Sequence, residues 1–360
     1  MAEQTSQEWQ GAHLMILWPL PEDKDLVEQL RKTTGLRISW TQALSKIEDE
    51  SVLEDVDIIA TIAALPSSKA VAPRLKLCHA LTAGTDYVSR SPLFKDPSIR
   101  WTYSTGIHGP TMAEWTMQTY MNFSKDWTAN WERQQRREWR TKFEAMHQRD
   151  LVGQRMGILG YGSIGRQIAK VARAMSMEVL AFTATAKETP ESRRDTGYRL
   201  PGTGDPDGTM PSAWFHGVDK ESLHHFLAQK IDILVVVVPI TDKTKGLLGR
   251  EEFDILAKHS PYGGAFIANL ARGEVIVQDE LIEALQTEGS GVRGAALDVQ
   301  TPEPLPSDSP LWDAPNCFIT PHTSSQHVKY MDRGLAILVE NLRKPTGSKF
   351  INDVNHQRGY

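Results

Sequence analysis

The run Met156-Gly157-Ile158-Leu159-Gly160-Tyr161-Gly162-Ser163-Ile164-Gly165 decides the fold. An apolar strand enters the glycines, and a helical stretch over 166–175 leaves them. G-x-G-x-x-G alone is a weak signal, but between a strand and a helix it reads as a dinucleotide-binding turn. Gly160 permits the tight turn, Gly162 lets the backbone approach a pyrophosphate, and Gly165 lets the helix pack close to the strand. The amides at the helix start, near Ser163 and Ile164, then face the anion.

The next strand, 178–182, carries the cofactor choice at its end. An Asp or Glu there binds the adenosine ribose hydroxyls and repels a 2′-phosphate. This chain has Thr183 at that place, followed by Ala184, Thr185, Ala186 and Lys187, with Arg193 and Arg194 further on. Neutral hydroxyls and a cation suit a 2′-phosphate, so NADP(H) is favoured over NAD(H). From about 187 to 220 the chain is polar and rich in Pro and Gly, longer than a connection inside a compact domain needs. Such a segment is functional or an insertion.

Further along, strands at 231–238, 265–269, 294–299 and 317–320 alternate with helical stretches such as 279–286. An amphipathic helix over 325–343 ends the series. Before the glycine turn, strands at 13–18, 57–62 and 75–81 alternate with a helix at 24–33. That pattern also argues for a parallel sheet wrapped by helices. The stretch 110–140 reads as one long helix crossing between two domains, its Trp115, Trp127, Trp131 and Trp139 serving as packing residues.

Ligands of open α/β sheets bind beyond the carboxyl ends of the strands. Three polar residues lie beyond three successive strands: Arg272 after 265–269, Glu303 after 294–299, and His322 after 317–320. A guanidinium fork holds a carboxylate and polarises the neighbouring carbonyl. An imidazole supplies a proton to a developing alkoxide, and a carboxylate beside it favours and orients the protonated ring.

Bulk properties agree with two soluble domains. The chain has 360 residues, 40% hydrophobic and 24% charged, with a formal net charge of -5. That charge offers no basic field for nucleic acid, and no apolar run approaches the ~20 residues that span a bilayer. The polar start lacks a secretion signal, so the expected compartment is the cytoplasm. Cys78 and Cys317 read as buried small hydrophobes of a reducing compartment, and no metal site is expected.

With these motifs in place, the chain resembles the D-isomer-specific 2-hydroxyacid dehydrogenase family, the group containing glyoxylate/hydroxypyruvate reductases. The resemblance runs from about 50 to 342. It rests on the glycine turn, Asn269 to Gly273, Gly294 to Leu305 with Pro310-Leu311-Trp312, and Thr320-Pro321-His322. It implies an α/β protein of two Rossmann-like domains with parallel sheets, one flavodoxin-like and one NAD(P)-binding, with the active site in the cleft between them. The substrate domain would take 1–125 and 328–360, and the nucleotide domain 126–327. Arg272, Glu303 and His322 would be catalytic, with Arg272 binding a small 2-keto acid. The Ala83-Gly84 turn would offer amides to the substrate carboxylate. Val238-Pro239 and Leu270-Ala271 would border the cofactor, and Asp298 would contact the nicotinamide amide or tune the site. A homodimer is implied. Two other readings fit the same motifs. One is a nucleotide-regulated, corepressor-like binding protein. The other is a dehydrogenase acting on formate or on another hydroxy acid, a phosphorylated one being kept open by Arg74, Lys76 and Arg90.

Overall fold

The computed structural model describes residues 5–354. The chain divides into two compact units. One takes the chain up to Ile107, Gly197–Arg199 and the chain from His327 onward; the other takes His108–Thr196 and Leu200–Gln326.

The first unit contains β1 (His13–Trp18), α1 (Lys24–Thr34), β2 (Arg37–Gln42), β3 (Ile58–Thr61), β4 (Leu77–Ala80) and β5 (Arg100–Tyr103). Every neighbouring pair is parallel, in the flavodoxin-like order β2-β1-β3-β4-β5. All six residues of β1 are buried, as a central strand covered on both faces requires. Leu14, Ile16 and Trp18 point toward α1 and the C-terminal helix Tyr330–Arg343, while Met15 and Leu17 meet Leu53, Ile59 and Trp101 on the other face. That period-two division is the geometry of a strand. Helix α1 is capped by Asp23, whose carboxylate accepts from Leu26 N at 3.0 Å, and stopped by Gly35 at φ 71°. The C-terminal helix begins at Tyr330 rather than at 325.

The sequence reading missed β2 and β5, the two outer strands of this sheet. Their mixed residues, Arg-Ile-Ser-Trp-Thr-Gln and Arg-Trp-Thr-Tyr, lack the apolar run of the central strands. The edge of β5 is covered by residues 352–354: Val354 N donates to Trp101 O at 3.0 Å, and Asn352 Nδ2 to Tyr103 O at 2.9 Å.

In the second unit, α2 (Gly109–Ser124) and α3 (Trp127–Arg136) precede β6 (Arg155–Leu159), α4 (Ser163–Ala174) and β7 (Glu178–Thr183). Then come α5 (Pro190–Arg193), β8 (Ala213–His216), α6 (Lys220–Leu227), β9 (Ile233–Val236), α7 (Arg250–His259) and β10 (Gly264–Asn269). Last are α8 (Gln278–Gln286), β11 (Gly291–Leu297) and β12 (Cys317–Ile319). The seven strands are parallel, in the order β12-β11-β10-β9-β6-β7-β8. The order reverses between β6 and β9, the switch point at which such sheets take ligands.

Two expectations are corrected here. The segment 110–140 is not one helix: it breaks at Asp126, where φ is 49°. The Asp126 carboxylate there gathers the returning chain, accepting from Arg140 Nη1 at 2.8 Å and Gln148 Nε2 at 3.1 Å. Helix α2, expected in the first domain, buries Met112, Ala113, Met117 and Tyr120 with Ile158, Ile168 and Phe266, so the division falls at 107/108. Of the four tryptophans, Trp115 is half-buried, but Trp127, Trp131 and Trp139 are exposed in the single chain, Trp139 at 96%. The polar segment after β7 adds the edge strand β8, which pairs from Leu180↔Ala213 to Thr183↔His216. Both cysteines are in strands and free, Cys78 buried and Cys317 half-buried. No helix among the described residues is long and apolar enough to cross a membrane.

His79, wholly buried in β4, yields a testable consequence. Its Nε2 lies 3.1 Å from Gly334 O and 2.9 Å from Ser104 Oγ, and its Nδ1 lies 2.8 Å from Thr102 Oγ1. Burial pushes its pKa down to about 4 from 6.5, against a smaller opposite pull from the Gly334 carbonyl. The fold therefore favours the neutral ring. Its contribution is complete above the unfolded pKa and is lost as pH falls from 6.5 toward 4, by up to roughly 3 kcal/mol. Denaturant unfolding from pH 7 to 4.5 should show a shallower loss of stability in His79→Gln than in the wild type; parallel curves would remove His79 as an acid-sensitive group.

Candidate active site

A parallel sheet gathers its carboxyl ends on one edge, and in the second unit that edge collects the residues singled out above. At the end of β6, Gly160 takes φ 104°, and a Cβ there would lie 2.7 Å from Val237 O. A Cβ on Gly165 would lie 2.4 Å from Gly160 O, so helix and strand are in backbone contact. A Cβ on Gly162, by contrast, meets nothing within 4 Å. Gly162 is the N-cap of α4 and gives it no side-chain hydrogen bond. An open approach to a helix start without a side-chain cap fits a pyrophosphate.

After β7, the Thr183 hydroxyl donates to Thr185 O at 2.8 Å, turning the chain away from the sheet. Thr185 is exposed and Lys187 half-buried. Arg193 is drawn back onto this turn, its Nε donating to Lys187 O at 2.8 Å. Val238 and Pro239 follow β9 beside the Gly160 turn, Val238 half-buried and Pro239 exposed.

Beyond β10 the chain turns on Asn269, which is 1% exposed. Its Oδ1 accepts from Ala271 N at 3.0 Å and its Nδ2 donates to Arg272 O at 3.1 Å. The two bonds shape Leu270, Ala271 and Arg272 into a fixed turn, with Leu270 and Ala271 buried. Arg272 Nη1 donates to Ala271 O at 2.6 Å. Sequence reasoning quoted Asn269 within its motif but gave it no role, although an amide closing an apolar strand was a readable signal.

Asp298, at the end of β11, is 1% exposed. Its Oδ1 accepts from Thr320 Oγ1 at 2.6 Å, Thr323 N at 2.8 Å and Ser324 N at 3.1 Å, and its Oδ2 accepts from Ser324 N at 3.0 Å. These bonds clamp the turn that carries His322, whose own N–H donates to Asp298 O at 2.9 Å. His322 sits there at φ 55°, a left-handed conformation that a non-glycine residue adopts only when its surroundings impose it. Trp115 of α2 completes the support, its indole N–H donating to Thr320 Oγ1 at 3.1 Å.

The result is a close pair. His322 Nδ1 and Glu303 Oε1 are 2.7 Å apart, with side chains 27% and 37% exposed. The carboxylate engages Nδ1 of the ring and not Nε2. Arg272, Glu303 and His322 thus follow adjacent strands β10, β11 and β12 on one sheet edge. Ala83 and Gly84 belong to the first unit, in the turn after β4, where Thr82 Oγ1 donates to Gly84 O at 2.6 Å. Arg74, considered above for a phosphorylated substrate, is instead bidentate to the buried Asp57, with Nη2 3.0 Å from both oxygens. One cluster of possible metal ligands, His224, Glu251 and Glu252, holds Lys220 Nζ 2.7 Å from Glu251 and 3.3 Å from Glu252, so an ammonium already supplies the cation there.

Comparison with known proteins follows this geometry. The model of the D-isomer specific 2-hydroxyacid dehydrogenase, NAD binding domain, matches residues 117–201 and 205–324. A hydroxypyruvate reductase of Blautia hydrogenotrophica is 32% identical over 206 residues, 57% of this chain and 54% of its own length. Among solved structures, a D-isomer specific 2-hydroxyacid dehydrogenase family protein of Aeromonas salmonicida is 27% identical. It matches 96% of this chain and 99% of its own with a TM-score of 0.72. A D-isomer specific 2-hydroxyacid dehydrogenase of Xanthobacter autotrophicus, solved with NADPH and MES, is 26% identical over 96% of this chain and 100% of its own, TM-score 0.72. With the glycine turn, the two parallel sheets and the matched domain in agreement, the chain belongs to the D-isomer specific 2-hydroxyacid dehydrogenase family of NAD(P)-dependent oxidoreductases.

Proposed function

We propose that the protein reduces a small 2-keto acid of the glyoxylate/hydroxypyruvate type to the D-2-hydroxy acid, using NADPH in preference to NADH. The observation that carries this reading is the His322–Glu303 pair at 2.7 Å on the sheet edge that also bears Arg272 and the glycine turn. When bound, the nicotinamide supplies the hydride to the keto carbon. Arg272 holds the substrate carboxylate in its planar fork and draws electron density from the adjacent carbonyl. His322 delivers a proton from Nε2 to the oxygen as negative charge develops. Glu303 holds the ring through the Nδ1 contact and leaves Nε2 for the substrate. Leu270, Ala271, Val238, Pro239 and Asp298 are the proposed cofactor border, with Gly160, Gly162, Ser163, Ile164 and Gly165 taking the pyrophosphate. The hydroxypyruvate reductase named above supports the substrate class, and the NADPH complex of the Xanthobacter protein supports the cofactor.

The first test follows reduced-cofactor absorbance with glyoxylate, hydroxypyruvate and pyruvate. Arg272→Ala should lower kcat/KM by roughly 10²–10³. His322→Asn should lower kcat by about 10²–10⁴ while leaving cofactor binding intact. Tight cofactor binding without turnover of any 2-keto acid would overturn the reductase reading and favour a nucleotide-regulated binding protein.

Cofactor preference rests on Thr183, Thr185 and Lys187 as the 2′-phosphate side. Lys187→Ala should reduce the NADPH-to-NADH ratio of kcat/KM about tenfold, equivalent to ~1.4 kcal/mol. An unchanged ratio would leave the phosphate without its proposed partner.

A homodimer is part of the same proposal. Trp131, Trp139, Phe143 and Met146 are all exposed on α3 and the turn after it, an apolar surface suited to a second copy. Light scattering should give twice the 40.3 kDa chain mass, and Trp131→Glu with Trp139→Glu should give the monomer. A wild-type monomer at micromolar concentration would exclude the dimer.

A further inference from the structure

The long segment after β7 is anchored to the cofactor loop, and its anchor is one carboxylate. Tyr161, between the first two glycines of the turn, is 5% exposed. Its hydroxyl donates to Asp205 Oδ2 at 2.8 Å. Asp205 is itself 1% exposed. It also accepts from Thr209 N at 3.0 Å on Oδ1 and from Met210 N at 3.1 Å on Oδ2. Burial first, then the Asp205 charge, raise the Tyr161 phenol above its usual range, so it remains a donor. The Tyr161 ring is held edge-on to Trp214 of β8, with centroids 4.9 Å apart.

The same segment grips the first turns of α4. Arg166, buried directly after Gly165, donates from Nη1 to Asp205 O and from Nη2 to Arg193 O, both at 2.6 Å. Its guanidinium lies 5.1 Å from the Tyr161 ring centre. Gln167 Oε1 accepts from Gly204 N at 2.6 Å, and Lys170 Nζ donates to Gly202 O. Four residues of the turn and its helix are thereby tied to 193–205.

We infer that this segment is a built-in brace for the dinucleotide loop, and that Asp205 is a positioning residue for the cofactor, acting through Tyr161. A glycine-rich turn has many conformations, and ordering each residue costs about 1–2 kcal/mol. Fixing the side chain that sits between Gly160 and Gly162 settles that cost before the pyrophosphate arrives. The inference rests on the chain binding a nicotinamide dinucleotide, which its family establishes, and not on the proposed preference for NADPH; only its turnover measurement rests on the proposed keto-acid substrate.

The test is calorimetric titration of the full chain with NADPH and separately with NADH, in the absence of any keto acid. Tyr161→Phe should raise both dissociation constants about three- to tenfold, and Asp205→Ala about tenfold or more. With saturating cofactor, kcat and the KM for the keto acid should stay within about twofold of wild type. The double variant should bind no more weakly than Asp205→Ala alone, because both changes cut the same link. Unchanged binding in Tyr161→Phe, or losses that simply add in the double variant, would overturn the inference. So would an equal fall in kcat with cofactor affinity intact. Should Asp205→Ala fail to fold, Tyr161→Phe, which removes one hydroxyl, decides alone. Failure of the NADPH preference would show as equal affinity for the two cofactors in the wild type, a different result.

Discussion

The site of the second unit depends on one constraint: its seven strands run the same way. A parallel sheet exposes all its carboxyl ends on a single edge, so residues distant in sequence are gathered without any direct pairing between them. Thr183 ends one strand, and Gly160, Val238, Arg272, Asp298 and His322 each follow another. Their order along the edge is that of the strands β12-β11-β10-β9-β6-β7. The strand order reverses between β6 and β9 beside the glycine turn, and contact between Gly160 and Gly165 brings the start of α4 to it. The glycine turn and the His322–Glu303 pair therefore occupy one edge because of topology, before any side chain is considered.

Topology gathers the residues but does not aim them. That work falls to buried polar groups one step behind the exposed ones. Asn269 shapes the turn that presents Arg272, and Asp298 holds the left-handed backbone of His322. Both are 1% exposed. Removing a partner from such a group leaves the other buried and unsatisfied, at a cost of about 1–3 kcal/mol. A change at Asp298 would therefore disturb His322 through the backbone without touching the substrate. The resemblance assigned Asp298 to the nicotinamide side, and its four accepted hydrogen bonds add a second task, the shape of the loop.

This difference marks what was legible in the sequence. Central strands such as β1, β6 and β10 stood out because burial on both faces demands continuous apolar runs. Edge strands β2, β5 and β8 did not, since one side of each escapes the core and its residues are mixed. Arg272, Glu303 and His322 were legible by their position beyond strands. Tyr161 and Asp205 were not, because their partnership spans a Pro- and Gly-rich stretch with no periodicity to read. The break at Asp126 was hidden for a related reason: helix formers run through it, and the tertiary bonds from Arg140 and Gln148 decide it. The tryptophans misled the reading, because aromatic content suggests packing, whereas Trp127, Trp131 and Trp139 are exposed.

The opposite edge of each sheet shows the complementary arrangement. Asp57, just before β3, accepts from His13 N of the adjacent β1 at 2.9 Å and pairs with Arg74. Asp232, just before β9, accepts from Arg155 N of the adjacent β6 at 2.9 Å and pairs with Arg149 at 2.5 Å. The two units thus close the same junction, first strand against its switch-point neighbour, with the same aspartate–arginine device. On the carboxyl edge the buried aspartates are used differently. The carboxylates of Asp205 and Asp298 take backbone amides and hydroxyls. A cation paired to a buried carboxylate has little capacity left for a ligand, whereas amides and hydroxyls satisfy that carboxylate without consuming a charge. The amino edges therefore spend arginines on stability. On the carboxyl edge of the second unit, Asp298 is satisfied by the Thr320 hydroxyl and the Thr323 and Ser324 amides.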